Sequence, residues 1–313
     1  VITDRKYFAY SPCGIPFVFS GMITSFDTLI LRDNKYYSEM NINILNETTV
    51  DKIDLDTNEV FFGNEKLKYD ILVLATGAKP IIPPIPGINL EGIYFLNSLE
   101  DALKISDALK NTKSPTIIGA GAIGLEMAHA FLKKGLKSRL IEMKDRVLPN
   151  MLDKDMSSIV EDYLSSLNMH IHTSTVASSF IGSKKVTHVK ANGNEFETDL
   201  VLVSVGVRPN VELAKNAGIE TGITGAIVTD ASLRVRRHGK YLKNVYACGN
   251  CIEVTDIITH KSTISALGST AIRQGVLVAD NILGKNSVFG SISSPSIAVI
   301  GELEVGTVGI TKE

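Results

Sequence analysis

The stretch Pro115-Thr116-Ile117-Ile118-Gly119-Ala120-Gly121-Ala122-Ile123-Gly124-Leu125-Glu126-Met127-Ala128 decides how this chain is read. A short apolar strand runs into a G-x-G-x-x-G turn, and a run with helical periodicity continues to Gly135. A second strand, Lys137-Ser138-Arg139-Leu140-Ile141, stops at Glu142. Each piece meets a physical demand of a bound dinucleotide. Gly119 permits the tight turn, and Gly121 leaves room for a pyrophosphate to approach the backbone. Gly124 lets the helix sit close on the strand. The helix opens at Ala122 and Ile123, where unpaired N–H groups face the phosphates. Glu142 is placed to accept hydrogen bonds from ribose hydroxyls and to repel a 2′-phosphate, which favours NAD(H) over NADP(H). The six-residue pattern alone also fits a glycine-rich packing turn; the flanking strand, helix and acid argue for the nucleotide.

The totals bound the rest. The chain has 313 residues, a net charge of −2 and 44% apolar residues, enough for a large core and two or more domains. Near-neutral charge gives no reason to expect nucleic acid or an anionic membrane as partner. No apolar run approaches a membrane span, and no signal peptide is evident. Three cysteines are no disulfide framework, so a reducing, cytoplasmic setting is expected. The start at Val1 and the end at Glu313 read as truncations of a longer chain.

Toward the N-terminus, Ser11-Pro12-Cys13-Gly14-Ile15-Pro16 reads as a helix start, with Ser11 as side-chain cap and Pro12 where its missing N–H costs nothing. Cys13 would then sit in the first turn, where the helix dipole favours a thiolate. An isolated cysteine is as readily a small buried thiol, and spacing alone leaves both readings open. Strands are expected at Val1–Thr3, Asn41–Leu45 and on through Asp54, and a hairpin about Gly63-Asn64. Asp70-Ile71-Leu72-Val73-Leu74 is a buried-type strand ending in Ala75-Thr76-Gly77. Four prolines between Pro80 and Pro86 mark a crossing segment, and a helix spans about Ser98 to Leu109. Further on, Asn192-Gly193 marks a second hairpin. Asp199 to Gly206 repeats the grammar of Asp70 to Gly77, which implies two domains on one plan. A strand ends near Cys248-Gly249-Asn250-Cys251, and a helix covers Ile264 to Ile282, with Gly268-Ser269-Thr270-Ala271 near its start. His170 with His172, and Cys248 with Cys251, have metal-like spacing but too few partners, so no metal is expected.

Taken together, Ser11 to Pro16, Ala75-Thr76-Gly77, Gly119 to Gly124 with Glu126, Gly206-Val207-Arg208-Pro209-Asn210, and Val245-Tyr246-Ala247-Cys248-Gly249-Asn250 resemble the pyridine nucleotide–disulfide oxidoreductases. More narrowly, the chain resembles their single-cysteine branch of NADH oxidases and coenzyme A-disulfide reductases, archaeal-type members especially. The resemblance implies an α/β fold of two Rossmann-like, three-layer domains, for FAD and NAD(H). The FAD-binding domain would be split over 1–109 and 236–285, with the NADH-binding domain inserted at 110–235. Residues 286–313 would begin a C-terminal dimerisation domain.

It further implies Cys13 as the catalytic thiol. Ser11, Pro12, Val50, Ala75, Thr76, Gly77, Gly249, Asn250, Ser269, Thr270 and Ala271 would bind cofactor, as would Gly119, Gly121, Ala122, Ile123, Gly124, Glu126, Glu142 and Gly206. Asn250 stands where the family usually has an aspartate to the flavin ribitol chain; it keeps an acceptor oxygen and loses the charge. Hydride from NADH would pass through flavin to Cys13 and on to a small disulfide, such as coenzyme A disulfide, or to oxygen. Homodimers are expected of the family. It also implies a first G-x-G-x-x-G, for FAD, before the position of Val1, and no second copy occurs in this sequence. Two other readings follow: a flavin-free NADH-binding remnant or sensor, and a flavin reductase for an electron-carrier protein.

Overall fold

The computed structural model describes residues 1–311. Lys312 and Glu313, the last two residues of the expected 286–313 segment, lie outside the described residues. The chain divides into two compact units. One comprises Val1–Lys6, Met40–Lys79 and Val207–Ser294; the other comprises Tyr7–Glu39, Pro80–Gly206 and the described part of the chain from Pro295. These cuts fall elsewhere than Leu109 and Arg236. Segment 7–39 groups with the glycine-turn unit because Ile15, Phe19 and Leu29 bury in the same core as Ile105, Leu125 and Phe131. Burial of side chains distant in sequence made that choice, and no local pattern announces it.

The glycine-turn unit is α/β with a Rossmann-type sheet. Five parallel strands lie in the order Ile93–Phe95, Leu200–Val203, Pro115–Ile118, Arg139–Ile141, His170–His172. Period-two alternation splits their side chains between two cores. Ile117, Leu140, Leu200 and Leu202 meet the helices Leu99–Leu109, Ala122–Lys133 and Lys154–Ser166 on one face. Ile118, Ile141, Val201 and Val203 meet Phe180, Val186 and Val189 of an antiparallel three-stranded meander on the other. The unit is therefore three layers. Ser98 caps the helix Leu99–Leu109, its Oγ accepting from the Asp101 N–H at 3.1 Å. The hairpin of Ser296–Ile300 and Leu303–Thr307 closes the unit, burying Ile300 and Val305 in the helical core.

The other unit holds an antiparallel sheet, Lys52–Asp54, Glu59–Phe62 and Glu65–Lys68, turned at Gly63-Asn64 as the sequence predicts. A second sheet orders Arg234–Arg237, Lys240–Ala247 and Leu72–Leu74, the last two parallel. Helix Gly268–Ile282 belongs to this unit, with Val278 in its core.

Three local expectations are corrected. Asn41–Leu45 forms no strand: Asn41 and Glu47 take φ of 56° and 50°, which break an extended run, and Ile2 makes only an isolated bridge to Leu45. The predicted helix from Ile264 begins at Gly268, because Ser262–Ile264 pairs with Glu253–Thr255. Ser11 precedes a 3-10 turn, Pro12–Gly14, and makes no side-chain cap bond; helix Ile15–Ser20 follows.

Candidate functional site

The glycine turn is built as a cradle. Strand Pro115–Ile118 is buried along its whole length and ends at Gly119. Gly119 has φ 104°, and a Cβ there would overlap the Ser204 carbonyl, so only glycine fits. A Cβ on Gly124 would press on the Gly119 carbonyl oxygen, which shows how closely the helix rides on the turn. Over Gly121 there is open space, with no atom within 4 Å of a Cβ. Gly121 precedes helix Ala122–Lys133 without any side-chain cap, so the first-turn N–H groups, Ala122 and Ile123 among them, remain available to an anion. Gly206, with φ 105°, lies beyond the end of the neighbouring strand Leu200–Val203, where Ser204 N–H donates to Ile118 O at 2.8 Å. The crevice at the carboxyl ends of adjacent parallel strands is where such sheets bind ligands.

Glu142 does more than the sequence suggests. It is 6% exposed. Its Oε2 accepts from the Ala120 N–H at 2.7 Å and its Oε1 from the Lys144 N–H at 2.8 Å. The carboxylate thus ties the glycine turn to the loop after the second strand, and each oxygen keeps a further lone pair for a ribose hydroxyl. Sequence reasoning missed these bonds because backbone donors leave no mark in the residue pattern.

Glu126 makes a bond to the hairpin Ser296–Thr307. Its Oε1 accepts from the Val299 N–H at 3.2 Å, and it lines a small cleft with Pro16, Phe17, His129 and Gly301. Burial pushes its carboxyl up, partly offset by the Val299 N–H, and burial likewise pushes the His129 imidazole down. The Val299 bond ties the start of helix Ala122–Lys133 to that hairpin.

Cys13 is exposed, in the 3-10 turn ahead of helix Ile15–Ser20, and is a free thiol. Ser11 is half-buried, and its N–H donates to Leu29 O at 2.9 Å. Pro12 is exposed beside it at the start of the turn. Helix Ile15–Ser20 packs against Ala122–Lys133, so the thiol turn and the glycine turn share one unit and one core.

In the other unit, Leu72–Leu74 and Lys240–Ala247 end side by side, Cys248 N–H donating to Leu74 O at 3.0 Å. Ala75-Thr76-Gly77 leaves the first strand, and Gly249-Asn250 leaves the second. The Thr76 hydroxyl donates to Asn210 O at 2.6 Å, and Asn210 N–H donates to Gly77 O at 2.9 Å, so this turn is braced by protein. Helix Gly268–Ile282 starts with no side-chain cap; Ser269 is exposed, Thr270 buried and Ala271 half-buried. Val50 is half-buried against the core of this unit. Among the described residues no group of three potential ligands could hold a metal. His172 stacks on Phe196 at 5.1 Å. Cys248 and Cys251 are both buried and unpaired, and burial pushes the Cys248 thiol up to about 11.

The open glycine turn and an exposed free thiol lie in one α/β unit, and comparison identifies the class. A family model described as pyridine nucleotide-disulphide oxidoreductase matches residues 1–275. An NADH oxidase of Methanocaldococcus jannaschii is 40% identical over 99% of this chain and 70% of its own length. A CoA-dependent NAD(P)H sulfur oxidoreductase of Pyrococcus furiosus is 33% identical over 100% of this chain and 70% of its own. The solved structure of a NAD-dependent persulfide reductase from A. fulgidus superposes with a TM-score of 0.94 at 34% identity, covering 100% of this chain and 59% of that one. The chain belongs to the pyridine nucleotide-disulphide oxidoreductase family.

FAD and NAD(H) are the cofactors of this family and its neighbours, and the residues present fit NAD(H) and the flavin end of FAD. Open space over Gly121, uncapped N–H groups and Glu142 suit NAD(H). For the flavin end of FAD, a Cβ on Gly77 would meet nothing within 4 Å. Two buried polar atoms lacking a partner among the described residues, Ser265 Oγ and Gln274 Nε2, lie just before and within helix Gly268–Ile282. Among the described residues no helix is long and apolar enough to cross a membrane.

Proposed function

We propose that this chain carries out NADH-dependent, flavin-mediated reduction of a small disulfide, such as coenzyme A disulfide or a related persulfide, or of oxygen, with Cys13 as its redox thiol. The observation that carries the reading is a complete dinucleotide cradle in the same unit as an exposed, unpaired cysteine. In this reading Gly119, Gly121, Ala122, Ile123, Gly124 and Gly206 hold the NADH pyrophosphate and Glu142 holds its ribose. Ala75-Thr76-Gly77, Gly249-Asn250, Val50 and Ser269 to Ala271 receive FAD. When bound, FAD supplies the chemistry of accepting a hydride and passing on its electron pair. Cys13 as thiolate attacks one sulfur of the acceptor, forms a mixed disulfide and releases the first thiol; two electrons and a proton then free the second. One NADH and one proton per disulfide balance two thiols. With oxygen as acceptor, Cys13 would cycle through a sulfenic acid. A homodimer and a reducing, cytoplasmic setting belong to the same reading.

The test is spectroscopic. The purified chain, supplied with FAD, is expected to show a flavin band that NADH bleaches without oxygen and that disulfide or oxygen restores. Absence of any flavin binding would remove the reading. Glu142→Gln is expected to cost about 1–3 kcal/mol of stability, because an amide N–H then faces one of two backbone N–H groups. The same change should narrow the preference for NADH over NADPH by about tenfold, since the charge opposing a 2′-phosphate is gone. Denaturant melts and coenzyme titrations check both; an unchanged coenzyme ratio would leave Glu142 with its bracing role alone.

A further inference from the structure

We infer that Gln274 is a positioning residue for the flavin end of the FAD site, an inference that rests on the function proposed above. No motif singles it out. It lies two turns into helix Gly268–Ile282, is 0% exposed, and its Oε1 accepts from the Gly249 N–H at 2.7 Å. Gly249 has φ 84°, a left-handed conformation reached at the moment the chain leaves strand Lys240–Ala247. Asn250, the acceptor assigned to the ribitol chain, comes next. A Cβ on Gly249 would lie 3.7 Å from Ala271 Cβ, so the helix start and the turn are in contact on the side that Gln274 secures.

A buried amide is a costly way to fill space. Leucine would occupy a similar volume with no polar group to satisfy, and the Gln274 Nε2 has no partner among the described residues. What glutamine provides and leucine cannot is an acceptor for the Gly249 N–H. That bond fixes a turn held by neither strand ladder nor helix. Through the turn it fixes the direction of Asn250, and the same side chain anchors the turn to the helix whose first residues also receive the flavin.

The test uses the full chain and FAD itself, followed by fluorescence quenching, with NADH affinity measured in parallel as a check on the separate glycine-turn unit. Gln274→Leu should weaken FAD binding by about tenfold or more and leave NADH affinity unchanged, the effect of one lost acceptor on a buried N–H. Gln274→Glu keeps an acceptor oxygen. As an ion it is disfavoured by burial, so its FAD affinity should be low at high pH. Affinity should recover as the pH falls and the side chain becomes a neutral near-isostere of glutamine. Gln274→Met, which fills the space without an acceptor oxygen, separates the roles: a packing role alone would leave its FAD affinity native. Native FAD affinity in Gln274→Leu would overturn the inference, as would a Gln274→Glu variant with no recovery at low pH. Failure of the unmodified chain to bind FAD would instead overturn the proposed function, and the two failures are distinct.

Discussion

Gly119→Ala is expected to disable the dinucleotide site through the fold, while Gly121→Ala disables it without touching the fold. At Gly119 the added Cβ would need φ 104° and would meet the Ser204 carbonyl, a backbone atom held by its own bond from Ser204 N–H to Ile118 O. Neither side can yield without moving the Leu200–Val203 strand end. The strain of an L-residue in that conformation and the overlap together should cost about 3 kcal/mol or more. NADH binding should be lost with the turn. At Gly121, φ is −74° and no atom lies within 4 Å of the new Cβ, so alanine is accommodated and stability stays within about 0.5 kcal/mol. The methyl group instead occupies the space assigned to the pyrophosphate, and NADH affinity should fall by about tenfold or more. Denaturant melts and NADH fluorescence titrations on both variants separate the cases. Equal stability of the two variants would mean that the turn is not seated on Ser204; full NADH affinity in Gly121→Ala would move the pyrophosphate elsewhere.

Cys13→Ser carries the other large effect. With FAD and NADH supplied, disulfide reduction should fall by about a thousandfold, because serine is no comparable nucleophile toward sulfur. Transfer from NADH to an artificial dye should stay within about threefold, since the thiol has no part in that route. The native chain should also take up one equivalent of a thiol reagent, at Cys13. Cys248 and Cys251 are buried and their thiols are pushed up by burial, so both should react only on unfolding. Equal loss of both activities in Cys13→Ser would make Cys13 structural. Rapid labelling of a second thiol would show that the C-x-x-C pair opens.

What the sequence made legible was what local chemistry dictates. Gly119 and Gly124 announce their turn because a side chain there would meet backbone, Gly121 because a bound pyrophosphate needs the space, and hairpins at Gly63-Asn64 and Asn192-Gly193 follow from turn preference. Short apolar runs placed the strands at Pro115–Ile118, Arg139–Ile141 and Leu200–Val203 but not the one at Ile93–Phe95, and the family resemblance predicted the α/β fold. Features made by distant or backbone partners were not legible. The apolar alternation of Asn41–Leu45 resembles a strand, yet positive φ at Asn41 and Glu47 ends it. Glu126 follows the glycine pattern in sequence and turns to the hairpin in space. Gln274 has no spacing signature, because its partner is a single backbone N–H 25 residues away. The grouping of 7–39 with the glycine turn depends on Ile15, Phe19 and Leu29 finding a core whose other members lie mostly beyond residue 98.

The hairpin Ser296–Thr307 has a consequence for biosynthesis. Val299 hangs on Glu126, Glu302 N–H donates to the Tyr163 hydroxyl at 3.1 Å, and Gly301 lies against His129 and Tyr163. The unit that begins at Tyr7 is therefore finished by residues made almost 300 positions later, and its companion is equally discontinuous, running from Val1 to Ser294. On the ribosome neither unit can close early. Both must wait, with apolar strands made and unsealed, until residues near position 300 have emerged, and it is in that interval that chaperones would matter most to it.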